Sequence, residues 1–209
     1  MSYDVFLEEK VTAAIYETGV GGEYDATNVV EMPIATGITR LGIDHERVLR
    51  VPTELRPTYF TLEARPEQQE KATIEEIAWH KSGIFKTGCP AFSVQQQPLA
   101  REVLCCRATE GGAPLTFVEI SPELAVTNFP SEVQRENAAL AKVLLDSDPR
   151  TRADHGRIPK EVLRRLKDSR LDGRCQILKA GADEWYIDGA HTEDSLIVAS
   201  RWFAEHAKR

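Results

Sequence analysis

The chain has 209 residues, 42% hydrophobic and 28% charged, with 33 acidic residues against 26 basic and a formal net charge of −7. That length and apolar content suit one good-sized domain, or one domain and part of another, with a buried core. The acidic balance, with no lysine/arginine cluster interleaved with aromatics, argues against a nucleic-acid groove and for a small-molecule or protein partner.

In chain order, the N-terminal MSYDVFLEEK has no basic stretch followed by an apolar one. No apolar run approaches the roughly 18 residues of a membrane span, so the expectation is a protein outside the membrane and the secretory route. VTAAIYE reads as a buried strand and PIATGITRLGI as a second, each followed by a polar, glycine-containing loop, which suggests a parallel sheet. Residues 50–71, RVPTELRPTYFTLEARPEQQEK, hold three prolines and no period of 2 or 3.6, and are expected to form an irregular insert outside the core. TIEEIAWHKSG opens with Thr73, has Glu76 at the capping-box position and closes at Gly83, a short helix.

AFSVQQ looks like a further strand, and VQRENAALAKVLLDS like an amphipathic helix turning Ala138, Leu140, Ala141, Leu144 and Leu145 to a core. DSDPRTRADHGR is charged and aperiodic, a linker, and PKEVLRRLKD after it reads as a helix. A strand pair around CQIL and EWYI and a helix from Thr192 to Ala207 complete the chain, with a boundary near Leu171. The fold class is α/β, a mostly parallel sheet with flanking helices followed by the start of a second α/β domain. Cys89, Cys105, Cys106 and Cys175 show no C-x-x-C spacing, as expected of reduced thiols in a cytosolic or organellar matrix compartment.

Three positions stand out chemically. Ligands of doubly wound sheets bind at the carboxyl ends of strands, and Glu17 ends the first predicted strand, before Gly19, Gly21 and Gly22. A strand-terminal glutamate in a plain glycine turn fits the spacing equally. Asp44 and His45 end the second strand, so two candidate ligands share one rim of the sheet. Lys81 continues the stripe of Ile74, Ile77 and Ala78 along the helix. Burial lowers an amine's pKa and leaves a nucleophile able to take up carbon dioxide as a carbamate, whereas a snorkelling stem would leave an ordinary ammonium.

YETGVGGEYDATNVV, GITRLGIDH, IEEIAWHKSGIFK, QRENAALA, LDGR and WYIDGAHTEDS resemble, in order, the motifs of folylpolyglutamate synthases of the Mur ligase superfamily, fungal and animal forms especially. The first is the most specific, matching E-x-G-φ-G-G-x-x-D-x-T-N throughout. The resemblance implies ATP-dependent addition of L-glutamate to the γ-carboxylate of a reduced folate polyglutamate through an acyl phosphate, in a cytoplasmic monomer, with the mitochondrial matrix the place of a longer form. It implies Mg2+ held by Glu17 and His45, and a carbamylated Lys81 near the metal. It places Asn137 near the ATP base, Arg174 at the phosphates, and Asp188 and His191 at the nucleotide and acyl-phosphate site between two domains. On spacing alone Asn137 could be a cap, Arg174 a surface ion pair and Asp188 part of an ordinary turn.

The departures are as informative. The family's phosphate loop, G-x-x-x-x-G-K-[ST], has no match, and Lys81-Ser82 follows Glu75 and His80 where glycines would stand. Val133 takes the place of the histidine expected before Gln134. The resemblance therefore implies an incomplete Mur ligase-type central domain over residues 1–170, lacking the phosphate loop, the beginning of the C-terminal ligase domain over 171–209, and a chain truncated at both ends. A non-catalytic homologue keeping a binding or structural role is the alternative.

Overall fold

The computed structural model describes residues 2–43, 49–58, 72–125, 129, 131–150, 164–165 and 171–207. A parallel sheet of three short strands, β1 (Thr36–Ile38), β2 (Ala91–Ser93) and β3 (Leu115–Phe117), lies in the order β1-β2-β3. Register pairs Thr36 with Ala91 and Ala91 with Leu115. Parallel neighbours need crossovers, and helices supply them: α2 (Ile74–Ser82) between β1 and β2, α3 (Pro98–Gly111) between β2 and β3. Ala91, Ala78, Val103 and Leu104 are at most 1% exposed and form the centre of the main core.

The predicted helix at Thr73 is confirmed in detail. Thr73 Oγ1 accepts the Glu76 amide at 3.3 Å, and Glu76 Oε2 accepts the Thr73 amide at 2.8 Å, a reciprocal capping box. The helix is buried on more than one stripe, since Glu75, Glu76, Trp79, His80 and Ser82 are buried beside Ile74, Ile77 and Ala78. The sequence pattern does not predict α3. It starts with a proline at its first turn and ends at Gly112 (φ 64°), a left-handed cap that a β-carbon would strain.

A short helix, α4 (Pro122–Ala125), precedes α5 (Glu132–Asp146), which Ser131 caps through the Gln134 amide. α5 lies on the sheet, with Ala138 and Leu140 buried as expected, and Leu144 against Gly37, where a β-carbon would come within 2.8 Å of it. Ala141 and Leu145 are exposed, contrary to expectation, because α5 lies on the sheet along one stripe and these two fall on its far side.

The expected C-terminal strand pair is an antiparallel hairpin, β4 (Gln176–Ala180) and β5 (Asp183–Ile187), turning at Gly181 (φ 65°). The last helix, α6 (Glu193–His206), is capped by Thr192 and packs Trp202 and Phe203 on Tyr186, ring centroids 5.6 and 4.9 Å away. Trp202 is buried, but Trp185, Leu178 and Ile187 of the hairpin remain exposed.

Two further expectations are corrected. VTAAIYE is no strand: residues 11–15 are exposed, Ile15 by 91%, and the segment follows an N-terminal helix, α1 (Ser2–Glu8), instead of entering the sheet. A strand needs a neighbour's backbone groups, and none of the described strands lies beside it. Tyr16 alone finds shelter, edge-on to Phe6 at 5.5 Å. The second correction is that the insert begins inside the core. Val51 is 3% exposed among the main cluster, and Thr53–Leu55 form one 3-10 turn. Residues 59–71, with Tyr59, Phe60 and Leu62, lie outside the described residues, as do the helix predicted at 159–168 except Arg164 and Arg165, and most of the linker before it.

Candidate functional site

The glycine-rich stretch is a loop docked on the end of α2. Asp25 accepts the amides of Val20 (2.8 Å) and Thr27 (2.9 Å) and the Thr27 hydroxyl (2.6 Å), closing the loop on itself. The Thr27 hydroxyl, and then these amides, hold the Asp25 carboxyl below its usual range. Gly21 has φ 72° and Gly22 rests on the helix backbone, where a β-carbon would come 2.6 Å from the His80 carbonyl and 2.8 Å from that of Lys81. The Glu23 amide donates to the His80 carbonyl at 2.7 Å, and Asn28 Nδ2 to the Gly83 carbonyl at 3.0 Å. Glycine, aspartate, threonine and asparagine of the motif thus act together to bring the segment after Glu17 against the turn that bears Lys81.

From the other side, Arg107 of α3 pairs with Glu23, and its guanidinium carbon stands 4.7 Å from the Trp79 ring centre. Residues 50–56 grip the same helix: Glu76 Oε1 accepts the Val51 amide at 3.2 Å and meets Arg56 at 3.5 Å, while the His80 ring donates to the Arg50 carbonyl at 3.1 Å. Glu17 itself is exposed and Lys81 half-buried. The corrected first strand means that Glu17 ends a segment without regular secondary structure, not a strand. Asp44 and His45 lie outside the described residues, and β1, expected to run up to them, ends at Ile38. Among the described residues no group of three or more His, Cys, Asp or Glu is placed to hold a metal ion.

A second constellation lies where the hairpin meets α5. Asp188 accepts the Cys175 amide at 2.7 Å and the Ala190 amide at 2.9 Å, binding the turns at the two ends of the hairpin. Arg174 lies across Gly189 so closely that a β-carbon there would overlap its guanidinium. His191 Nδ1 is 2.9 Å from the Gly189 carbonyl, and its ring is exposed. Arg174, Asp188 and His191 are therefore brought together. Asn137 sits exposed on α5, whose cap Ser131 hydrogen-bonds the Cys175 side chain. Burial, and next the Asp188 charge, push the Cys175 thiol up to about 11. Asn137 is no cap.

At the end of β1, Arg40 makes a two-pronged pair with Glu136 of α5 at 2.6 and 3.0 Å, Glu136 holding the Arg40 pKa up. Gln96 accepts the Leu41 amide at 2.9 Å and donates to the Thr39 carbonyl at 2.8 Å. No motif in the sequence marks Arg40, Gln96, His80 or Arg107 for these contacts. The Pro98 to Gly112 bracket is the signal that could have placed Arg107 on a helix.

No family model matches the chain. Its fold is that of solved folylpolyglutamate synthases. An FPGS–AMPPCP–folate complex superposes with a TM-score of 0.75 at 20% identity, over 98% of this chain and 50% of that one. The Mycobacterium tuberculosis enzyme complexed with ADP gives 0.72 at 21%, over 97% and 45%. In sequence, the chain is 42% identical to the folylpolyglutamate synthase of Neurospora crassa over 98% of its own length and 36% of the relative's. For that of Saccharomyces cerevisiae strain YJM789 the identity is 38%, over the same shares. The chain is thus a relative of the folylpolyglutamate synthases along nearly all its residues, and spans about a third of the length of the curated relatives it matches.

Proposed function

We propose that these residues form the middle part of an ATP-dependent ligase that adds L-glutamate to the γ-carboxylate of a reduced folate polyglutamate. The folate carboxylate attacks the terminal phosphorus of ATP, ADP departs, and the glutamate amine then displaces phosphate from the acyl phosphate. Arg174 lends positive charge to the phosphates, as phosphoryl transfer requires. Asp188 holds the turns that carry Arg174 and His191, Asn137 lies toward the base, and His191 faces the acyl phosphate.

Glu17 and His45 would hold Mg2+, with a carbamylated Lys81 near the metal. Carboxylate and carbamate oxygens suit that hard cation, which would neutralise charge on the transferring phosphoryl group. One observation carries the reading: the glycine loop that follows Glu17 rests by its backbone on the Lys81 turn. The relatives' names support the substrate, and the titles of solved neighbours name AMPPCP and folate. The reaction belongs in the cytoplasm, carried out by a monomer.

The test is a chimera in which the chain replaces the matching stretch of the Neurospora enzyme. Labelled glutamate should enter tetrahydrofolate polyglutamate, and both Lys81→Ala and Glu17→Ala should cut incorporation by about a thousandfold or more. Incorporation that survives both changes would dismiss the site. The alternative reading is a non-catalytic homologue. An inert chimera with intact folding would support it.

A further inference from the structure

His80 is buried beside Lys81, and the proposed ligase site assigns it nothing. Its ring nitrogen Nε2 lies 3.1 Å from the Arg50 carbonyl, and since a carbonyl only accepts, Nε2 carries the proton. Its ring is edge-on to the buried Trp79 (5.1 Å), which fixes its plane, and the largely exposed Tyr24 ring stands edge-on at 5.9 Å. Its own carbonyl accepts the Glu23 amide at 2.7 Å. A β-carbon on Gly21 would stand 3.6 Å from the His80 β-carbon and 2.9 Å from Leu49, so loop, ring and the 49–51 segment meet at one point. A phenylalanine would keep the stacking and lose the donor, and a glutamine can present an N–H from nearly the same place.

We propose that His80 is a positioning residue for Lys81. Through its ring and its carbonyl it ties segments 49–51 and 21–23 to the last turn of α2, and so fixes where the neighbouring amine is presented. The proposal rests on the reading of Lys81 as a carbamylated lysine, a step that joins the neutral amine to carbon dioxide with loss of one proton and no other reactant. Packing alone would make any well-fitting ring suffice. A positioning hydrogen bond makes the donor matter.

The experiment uses the purified chain with isotope-labelled bicarbonate and reads the Lys81 carbamate by NMR, with Lys81→Ala to assign the signal and thermal melts to confirm folding. His80→Phe should lower carbamate occupancy by about tenfold, the worth of one hydrogen bond, and His80→Gln should restore it to within about twofold. Should His80→Phe fail to fold, His80→Leu takes its place as the donor-free variant. Equal occupancy in the wild type and a folded donor-free variant overturns the positioning role alone. A wild type with no carbamate overturns the reading of Lys81, and the proposal with it.

Discussion

Asp25 turns a loop sequence into a shape, since one carboxylate gathers two amides and a hydroxyl. Its pKa is lowered in the fold, so the stabilisation is present above the unfolded value of about 4 and is lost as pH falls through the lowered one. Asp25→Asn is expected to cost about 1 kcal/mol at neutral pH, a figure reduced for solvent screening. The gap between the two thermal melts should narrow at about pH 3. Cys175 behaves in the opposite sense. With its thiol pushed up to about 11 it stays protonated near neutrality. Alkylation followed by mass spectrometry at about pH 8 should modify it roughly a hundredfold more slowly than an ordinary thiol, while exposed Cys105 reacts readily. Equal labelling of the two would show that Cys175 is neither partly buried nor held by Asp188.

At the scale of elements, α2 is the hub. The glycine loop, residues 50–56 and α3 all fasten to it. Thr73→Ala removes half of the capping box and should cost about 1 kcal/mol. Glu76→Ala should cost about 3 kcal/mol or more, because it strips the amides of Val51 and Thr73 of their acceptor and removes a fully buried carboxylate from beside Arg56. Chemical denaturation reads both, and Thr73→Ala proving the costlier of the two would contradict this account. Gly22→Ala drives a methyl into two helix carbonyls and should cost about 1–3 kcal/mol. It should also raise hydrogen exchange at the Glu23 amide, and unchanged exchange there would mean that the loop is not held by the helix.

The whole molecule has a well-made centre and open margins. Around Ile77 and Leu104 the core is closed, and Leu104→Ala should cost about 2–5 kcal/mol. Ile15, Met32 and Tyr24 at one end of the chain, and Trp185 and Leu178 at the other, stay in solvent. Nucleotide phosphates in such ligases are held by a glycine-rich loop and its lysine, a motif that these 209 residues lack. Losing several charge-assisted contacts at about 1.5–3 kcal/mol each weakens binding by orders of magnitude. A polypeptide of these residues alone is therefore expected neither to hydrolyse ATP nor to extend a folate. Labelled glutamate incorporated by it above a Lys81→Ala control would refute this.

Local signals were legible wherever one stretch of chain settles its own structure. The Thr73–Glu76 box, the Ser131-led helix, the hairpin at Gly181 and the Thr192 cap all complete their hydrogen bonds within a few residues, so the sequence by itself determined them. The ordered motifs likewise pointed to the relatives that the comparisons found. Partners distant in sequence were not legible. VTAAIYE has the composition of a strand, but pairing depends on a neighbour that no local pattern supplies. Val51 lies in an aperiodic stretch and is nevertheless buried, because Glu76 accepts its amide and the His80 ring holds the preceding Arg50 carbonyl. Only the tertiary structure decided that the motif's glycines serve to seat a loop on the Lys81 turn. The physical reason is that a glycine's lack of a β-carbon is visible in the sequence, while the backbone that comes to occupy that space is not.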